Sequence, residues 1–290
     1  MKKIISLILC VVLVAGVFAF AGCSKKEETP AAKTAPTKVI GIDLTEEEYA
    51  FGVDKAQPEL LEKVNAFIDK IMKDGTFDEI CNHYFGDGEP AKVESAELDT
   101  AKDQLVVATN AGFEPFEYKI GESFSGIDME IAKLLADELG LELVISDMNF
   151  DAVCLSVGQH KCDIAMAGLT VKEERKEFVT FSNSYYKASQ KIITKGDDTT
   201  FDECKTADDV LAILKSFDAT TKIGYQNGTT GSMFVKNEQD YASNALKVTG
   251  KGYKNGSLAV QDLVNGNINY VVIDSAPADC ITAAINEVTA

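Results

Sequence analysis

Short apolar runs alternate with amphipathic stretches along the chain from Gln104 onward. The short runs predict buried strands, and apolar positions three or four residues apart predict helices. This alternation predicts an α/β fold with mostly parallel strands, and a restart of the pattern near residue 195 predicts two lobes. The predicted strands are Leu105–Thr109, Leu141–Ser146, Asp163–Ala167, Phe178–Phe181, Gln190–Thr194, Lys222–Gln226, Ala245–Thr249 and Tyr270–Asp274. The predicted helices are Asp128–Leu139, Asp151–Gln159, Ala207–Ser216, Ser232–Glu238, Ser257–Asn265 and Ala276–Ile285.

A strand and two helices are predicted before Gln104. The strand is Tyr49–Val53, and a second, short helix is Phe77–Tyr84. The first helix begins at Pro58 and ends at Gly75, as proline at the first position and glycine after the last turn favour. Its apolar stripe comprises Leu60, Leu61, Val64, Phe67, Ile68, Ile71 and Met72. Residues 87–103 are polar and contain Gly, Pro, Glu and Lys, which predicts a linker.

The first residues have the pattern of an export signal. Lys2 and Lys3 precede the uncharged apolar run Ile4–Phe20, as a basic and then an apolar region do in such signals. A single membrane-spanning anchor is the alternative, but a span needs about 20 residues and this run is short. Phe20–Cys23 (FAGC) resembles a bacterial lipobox, although Leu usually stands where Phe20 does. The resemblance implies a signal peptide over residues 1–22, lipid on Cys23 and a polar, flexible tether over 23–37.

The charge of the chain argues against two classes of partner. The 290 residues carry 46 Asp and Glu against 28 Lys and Arg, a net charge of −18. Proteins that bind nucleic acids or anionic membrane surfaces present basic patches instead. Five cysteines remain after Cys23, widely spaced and without a CxxC motif, so we expect free thiols rather than a disulfide framework. Two distant histidines leave little room for a metal site, and we expect no cofactor.

Six ordered motifs give the sequence a family resemblance. It resembles the extracellular amino-acid-binding component of an ATP-binding-cassette (ABC) importer over nearly the whole chain after the tether. The resemblance implies a two-lobed fold of the type II periplasmic-binding-protein class, with two hinge crossings. The motifs are Thr109–Tyr118 (TNAGFEPFEY), Gly126–Glu130 (GIDME), Ala167–Thr170 (AGLT) with Glu174–Lys176 (ERK), Phe181–Tyr186 (FSNSYY), Gly228–Gly231 (GTTG) and Val272–Asp274 (VID).

The order of the motifs departs from the family. Members usually close with features that resemble Leu44–Tyr49, Pro58–Leu61 and Asp74–Phe77, which here stand at the front. We therefore predict a circular permutation in which residues 87–103 join the family's usual ends.

Permutation is tolerated when native termini are exposed and close. On this prediction lobe 1 comprises residues 45–191, and lobe 2 comprises residues 192–290 together with 38–44. The chain crosses between the lobes near 44–48 and near 191–195.

Recognition of a free amino acid requires partners for a carboxylate and an ammonium group. Arg175, the only arginine in the sequence, lies where the family places its carboxylate-binding arginine. Its planar fork suits bidentate recognition, which lysine does not provide. The alternative is a surface arginine in an ion pair. The resemblance also places Thr229 and Thr230, in the GTTG turn before a helix, beside the carboxylate, although such a turn is often only a turn.

The ammonium group is assigned to the end of the last predicted strand. The resemblance places Asp274 there, with the Gly168 carbonyl and the Thr170 hydroxyl beside it, and ligands bind at strand ends in α/β folds. Asp274 is alternatively a helix N-cap. Ala167 lies in the same motif. Phe113 and Phe150 are candidate walls around the ligand side chain, whereas Phe116 is better explained as a core residue.

The ligand side chain is assigned to two amides. Asn110 occupies the position where cation-binding members often carry Asp, which argues against a strongly Arg- or Lys-selective pocket. Gln226 is the second residue assigned to the side chain. The two amides predict a polar ligand.

The resemblance implies a receptor that is not an enzyme. It would be exported, anchored by lipid on the outer face of the cell membrane, monomeric, and a partner of an ABC permease and ATPase. One alternative is an amino-acid sensor lipoprotein. Another is a dehydratase on the same fold, for which Glu114 or Glu117 could act as acid or base.

Overall fold

The structure is a computed structural model that describes residues 35–289. The predicted signal peptide, Cys23 and the tether as far as residue 34 lie outside the described residues. The strands are β1 (Thr37–Val39), β2 (Glu47–Asp54), β3 (Gln104–Thr109), β4 (Gly112–Phe113), β5 (Glu117–Ile120), β6 (Ser123–Ser125), β7 (Glu142–Asp147), β8 (Ile164–Ala165), β9 (Val179–Ala188), β10 (Gln190–Lys195), β11 (Lys222–Gln226), β12 (Thr249–Tyr253) and β13 (Tyr270–Asp274).

The helices separate most of these strands. Two 3-10 turns, Arg175–Glu177 and Gln239–Asn244, lie between longer elements. The helices are α1 (Pro58–Asp74), α2 (Thr76–Phe85), α3 (Ile127–Leu139), α4 (Phe150–Gly158), α5 (Ala207–Ser216), α6 (Thr230–Lys236), α7 (Gly256–Val264) and α8 (Ser275–Thr289).

Two five-stranded sheets form the two lobes of a type II periplasmic-binding-protein-like fold. Lobe 1 is built on the sheet β7-β3-β8-β2-β9, and lobe 2 on the sheet β1-β10-β13-β11-β12. Helices α1, α3 and α4 pack on the first sheet, and α6, α7 and α8 on the second. A small sheet, β4-β5-β6, follows β3 in lobe 1.

The strand directions are mixed rather than mostly parallel. β7, β3 and β8 run parallel in lobe 1, as do β12, β11 and β13 in lobe 2. β2 and β9 of lobe 1, and β1 and β10 of lobe 2, each pair antiparallel. These four strands flank the crossings between the lobes, where the chain arrives from the other sheet, so the βαβ rule of parallel pairing does not apply to them.

The chain crosses between the two sheets twice within the described residues. The first crossing is residues 40–46, between β1 and β2, and the second is Ser189 alone, between β9 and β10. The second crossing therefore precedes the predicted 191–195, which form β10 of lobe 2. Ser189 Oγ donates to Asp43 Oδ1 at 2.6 Å, and the Leu44 amide donates to the Gln190 carbonyl at 2.9 Å. The two crossings lie side by side.

Helix α1 follows the predicted stripe closely. Pro58 occupies its first turn, and Gly75 ends it in the left-handed conformation with φ 89°. The buried residues are Val64, Phe67, Ile68 and Ile71. Met72, which the pattern also places on the stripe, is 47% exposed, because α1 covers the sheet with one narrow face.

Residues 87–103 contain no helix or strand, yet they pack along lobe 1. Val93 is buried and pairs with Phe124 of β6 in an isolated bridge. The amide of Ala96 donates to the Leu143 carbonyl at 2.8 Å, and Ser95 Oγ accepts from the Ile145 amide at 2.8 Å. This segment runs from the end of α2 to the start of β3.

Strand β12 lies later than the sequence pattern predicts. The predicted strand Ala245–Thr249 instead follows the 3-10 turn Gln239–Asn244, and β12 begins at Thr249. β12 is an edge strand with two glycines and mostly exposed residues. β12 therefore lacks the apolar run that predicts a buried strand.

Candidate functional site

A small cavity lies between the two lobes, where strands of both sheets end. Its volume, which includes space open to solvent, is about 230 Å³. Contacts between the lobes enclose it, and separation of the lobes would open it. The residues that line it are Phe113, Phe150, Gly168, Thr170 and Arg175 of lobe 1, and Gln226, Thr229, Thr230 and Asp274 of lobe 2.

The guanidinium of Arg175 is buried and held from both lobes. Nη1 donates to the Thr170 carbonyl at 2.7 Å, and Nη2 donates to the Gly228 carbonyl of lobe 2 at 3.2 Å. The guanidinium carbon lies 5.2 Å from the ring centre of Phe150. Of the two predicted environments, the structure has the buried one, and Arg175 forms no side-chain ion pair within residues 35–289. In the closed arrangement these contacts hold the guanidinium in one orientation, as bidentate recognition of a carboxylate requires.

The turn that follows β11 brings Thr229 and Thr230 to the cavity. Gly228 has φ 74°, and a Cβ there would lie 3.2 Å from that of Asp151 in lobe 1, so glycine permits this close approach. Thr229 is the N-cap of α6, and its hydroxyl accepts a hydrogen bond from the Ser232 amide. The Thr230 hydroxyl is buried and has no partner within residues 35–289.

Asp274 ends β13 as a buried carboxylate. Its Oδ1 accepts a hydrogen bond of 2.6 Å from the phenol of Tyr49. Burial, and then the negative charge of Glu47, raise the pKa of Asp274 to about 7, although Tyr49 and Arg175 act in the opposite direction. A cationic group beside Asp274 would restore its ionised form.

Thr170 and Gly168 face the same part of the cavity. The Thr170 hydroxyl donates to Glu47 Oε2 at 2.8 Å, which leaves its oxygen lone pairs as acceptors. The Gly168 amide donates to Asp128 Oδ2 at 2.9 Å. Gly168 has φ 51°, and a Cβ would come within 2.8 Å of the Phe113 ring. Only glycine fits between the backbone and that ring.

The remaining predicted site residues occupy different layers. Asn110 is buried and donates to the Met148 carbonyl at 2.5 Å, and its Oδ1 accepts from Nε2 of Gln226 at 2.9 Å. Asn110 therefore lies behind Gln226 and does not line the cavity. Ala167 is fully buried and does not line it either, and Phe116 is a core residue in contact with Tyr49.

The family of the chain follows from a family model. The model described as bacterial extracellular solute-binding proteins, family 3, matches residues 11–87 and 105–269. The chain belongs to this family. Within residues 35–289 of this family 3 protein, no helix combines the length and the apolar composition needed to cross a membrane.

Relatives and solved structures of similar proteins extend this comparison. The arginine-binding extracellular protein ArtP of Bacillus subtilis is 37% identical over 99 residues, which are 34% of this chain and 39% of ArtP. A putative ABC transporter arginine-binding protein 2 of Escherichia coli is 29% identical over 61% of this chain and 65% of its own. The match thus spans less than two thirds of either relative. An ancestral arginine-binding protein bound to arginine is 34% identical over 63% of this chain and 75% of its own, with a TM-score of 0.54.

Three residues of this family 3 protein reach the site although the sequence analysis did not select them. Glu47 and Tyr49 come from β2 and face Thr170 and Asp274. Lys172 follows Thr170 by two residues in lobe 1, and its Nζ is 2.8 Å from Asp240 Oδ2 of lobe 2. A polar or acidic residue on an otherwise buried strand, such as Glu47, is the sequence signal that could have identified the first two.

Two further observations on the described residues concern cysteines and groups of possible metal ligands. Its five cysteines are free thiols. Within residues 35–289, no group of three or more His, Cys, Asp and Glu side chains could hold a metal ion.

Proposed function

We propose that the protein is a lipid-anchored extracytoplasmic receptor that binds a free polar amino acid between its lobes and delivers it to an ABC importer permease. The observation that carries the proposal is that a buried arginine and a buried aspartate from opposite lobes line one small cavity. Such a pair matches the two charges that every free amino acid carries.

The carboxylate of the ligand is assigned to Arg175 and Thr230. Two donors of Arg175 are bound by backbone carbonyls, and the remaining N–H groups of the guanidinium are available to an anion. The Thr230 hydroxyl has no partner within the described residues and supplies another donor.

The ammonium group is assigned to Asp274, Thr170 and the Gly168 carbonyl. Asp274 is the only carboxylate among the residues that line the cavity. The Thr170 hydroxyl is oriented as an acceptor because its proton points to Glu47. An ammonium group would thus meet a charge and at least one neutral acceptor.

Closure of the lobes is the step that a permease would detect. Contacts between the lobes connect residues that lie on opposite sides of the cavity: Arg175 with Gly228, Asn110 with Gln226, and Lys172 with Asp240. A ligand that fills the cavity would favour the closed form in which these contacts exist.

The proposal includes the anchor and the rearranged chain order. Lipid on Cys23 would attach the protein through β1, which belongs to lobe 2. We propose lobe 1 as residues 47–188 and lobe 2 as 37–39 with 190–289, which moves the predicted boundary from 191 to 189. The circular permutation is supported by the contact between β1 and α8, which the usual chain order would make consecutive. The Thr37 amide and hydroxyl of β1 both donate to Asn286 Oδ1 of α8.

Thermal melting of the protein from Ser24 onward against the common amino acids tests the proposal. At a hundredfold excess over Kd, a ligand adds about 2.7 kcal/mol, which raises Tm by roughly 5–10 °C. A shift with one or a few polar amino acids is expected, and a cooperative melt that no amino acid shifts would refute amino-acid binding.

Uptake of the labelled ligand by cells without the gene separates transport from the sensor alternative. An importer component predicts lost uptake, and a sensor predicts normal uptake. Ligand recovered unchanged after incubation with the protein is expected, and turnover would instead indicate a dehydratase.

A further inference from the structure

Glu47, the first residue of β2, is a buried carboxylate that does not line the cavity but bonds to three separate parts of the protein. Its Oε1 accepts a hydrogen bond of 2.7 Å from the hydroxyl of Thr45 in the first crossing. Its Oε2 accepts a hydrogen bond of 2.8 Å from the hydroxyl of Thr170 in the cavity wall. Nε2 of Gln190, which follows the second crossing, donates to the same oxygen at 3.4 Å. One side chain therefore joins the cavity wall to both crossings.

The protons of the two threonine hydroxyls have fixed directions in this arrangement. An ionised carboxylate only accepts hydrogen bonds, and each hydroxyl has a single proton. Thr170 directs its proton at Oε2, so its oxygen can only accept from a further group. Thr45 directs its proton at Oε1, and its oxygen accepts from the Gln190 amide at 2.9 Å. Neither hydroxyl can donate elsewhere without losing a bond to a buried charge, which is stronger than a bond between neutral groups.

We propose that Glu47 is a positioning residue for the ammonium group of the bound amino acid: it holds the Thr170 hydroxyl in the accepting orientation and links it to both crossings, without contacting the ligand. The inference rests on the proposed function, which assigns the ammonium group to Asp274 and Thr170. Both oxygens of the carboxylate are needed, because each receives the proton of a different hydroxyl.

Glu47 also acts on Asp274 through its charge. Burial first, and the negative charge of Glu47 second, raise the pKa of Asp274 to about 7. An ammonium group needs the ionised form of Asp274, so the affinity for an amino acid should fall as the pH is lowered through this value. The other titratable or charged groups that interact with Asp274 or Glu47 are Tyr49, Glu117, Arg175 and Tyr241.

The variant Glu47→Gln tests the need for two accepting oxygens. A carboxamide has nearly the same shape but accepts on one oxygen only, so either Thr45 or Thr170 would face an N–H donor. We expect calorimetry with the amino acid from the thermal screen to show binding at least about tenfold weaker at pH 8. At pH 6 the loss should shrink to about threefold or less, because removal of the Glu47 charge lowers the pKa of Asp274. A merely structural defect would weaken binding equally at both pH values.

The variant Glu47→Asp separates the charge of the side chain from its reach. Aspartate keeps the negative charge but is one methylene shorter, so it cannot hold both hydroxyls at these distances. The affinity should fall about fivefold or more, and equally at pH 6 and pH 8. This variant decides the question if Glu47→Gln does not melt cooperatively. The control is Glu48→Gln, the same change at the exposed next residue of β2, which should bind like the wild type at both pH values.

The variant Thr170→Val identifies the group through which Glu47 acts. Valine removes the hydroxyl and keeps a similar shape, so there is no orientation left for Glu47 to determine. Adding Glu47→Gln to Thr170→Val should therefore weaken binding by less than about twofold at pH 8.

Three outcomes would overturn the inference. They are near-native affinity in Glu47→Gln or Glu47→Asp, a loss in Glu47→Gln that is the same at pH 6 and pH 8, and full additivity of the losses in the double variant. In each case the wild-type protein still binds its amino acid, and the proposed function stands. A wild-type protein that binds no amino acid would overturn the proposed function and the inference with it.

Discussion

The phenol of Tyr49 donates a hydrogen bond of 2.6 Å to Oδ1 of Asp274, across 225 positions of the chain. Tyr49 lies on β2 of lobe 1 and Asp274 ends β13 of lobe 2, and both are buried. The Tyr49 ring packs edge-on against Phe116 and stacks on Tyr186, with centroid distances of 5.1 and 5.8 Å. The packing directs the hydroxyl at the carboxylate, whose ionised form the bond stabilises.

Tyr49→Phe should weaken amino-acid binding about fivefold at pH 7. Loss of the donor raises the pKa of Asp274 further, so less of the carboxylate is ionised to receive the ammonium. The loss should shrink at pH 8, where the carboxylate ionises again. Calorimetry at both pH values measures this, with Tyr186→Phe as control. The Tyr186 hydroxyl makes no side-chain hydrogen bond within residues 35–289, so equal losses in both variants would contradict the role of Tyr49.

The free energy of unfolding should fall between pH 5 and pH 7 in the protein without ligand. Burial raises the pKa of Asp128 to about 7, and burial with the charge of Glu47 does the same for Asp274. The folded state therefore binds more protons than the unfolded state in this range, and stability decreases as the pH rises. Burial raises the pKa of Glu117 well above its ordinary value, which acts in the same direction.

Urea unfolding at pH 5, 6 and 7 measures this dependence. Asp274→Asn should reduce the slope because it removes one of the protons, and Asp279→Asn, at an exposed position, should leave it unchanged. Stability that increases from pH 5 to pH 7 would contradict the prediction.

Arg175→Lys should lower the affinity for the amino acid about a hundredfold while the protein still melts cooperatively. Lysine carries its three donors on one nitrogen and lacks the planar fork, so it cannot reach the Thr170 and Gly228 carbonyls and a carboxylate as the guanidinium does. Titration calorimetry with the ligand from the thermal screen gives the affinity. Lys176→Gln changes the neighbouring exposed residue and should bind normally. Near-native affinity in Arg175→Lys would remove Arg175 from carboxylate recognition.

Lys172→Met should speed dissociation of the ligand roughly fivefold with little change in association. Nζ of Lys172 in lobe 1 lies 2.8 Å from Asp240 Oδ2 and 4.7 Å from the ring centre of Tyr241, both in lobe 2, so it joins the lobes. Asp240 is mostly exposed, which keeps the contribution to about 1 kcal/mol. Stopped-flow kinetics measures both rates.

Lys176→Met is the matched control for Lys172→Met. Lys176 pairs with Glu173 at 2.6 Å inside lobe 1. If both variants released ligand equally fast, the contact between the lobes would not be the cause.

A reordered chain should fold and bind like the natural one. In this variant residue 289 is joined to Thr37 by a short Gly/Ser linker, and the chain begins at Gly88 and ends at Asp87, so that the packed residues 88–103 are kept. The two residues to be joined are close, since Asn286 Nδ2 also donates to the Thr37 carbonyl at 2.9 Å. Urea unfolding and calorimetry compare the two proteins. A variant that folds but binds at least tenfold more weakly would show that the natural order matters for closure.

The sequence predicted the elements of the site better than their mutual positions. Arg175, Gly168, Thr170 and Asp274 lie in short motifs whose local structure follows from their own residues, and the structure brings them to one cavity. Their roles toward a ligand stay predictions. Asn110 lies one layer deeper than expected, because its distance from the cavity depends on Gln226, 116 positions away.

The features that sequence reasoning missed depend on long-range pairing. Glu47 and Tyr49 contribute to the site because β2 lies between β8 and β9; the acidic Glu47 on a buried strand marks the strand as unusual, but its position in the sheet is not a local property. The second crossing lies earlier than predicted because only Ser189 separates β9 from β10, and one residue leaves no loop signal in the sequence. Edge strand β12 was misplaced because exposed edge strands need no apolar run.

The second crossing, Ser189, gives the molecule mechanical properties of its own. This crossing has only one residue, and its hydroxyl bonds to Asp43 of the other crossing, which restricts sliding and twisting of one lobe against the other. The two lobes can rotate relative to each other about one hinge axis that passes beside Ser189. The displacement of a residue then increases with its distance from that hinge axis. Residues of the two lobes that lie furthest from Ser189 move most. A cross-link between them would keep the lobes closed, whereas a cross-link beside Ser189 would have little effect.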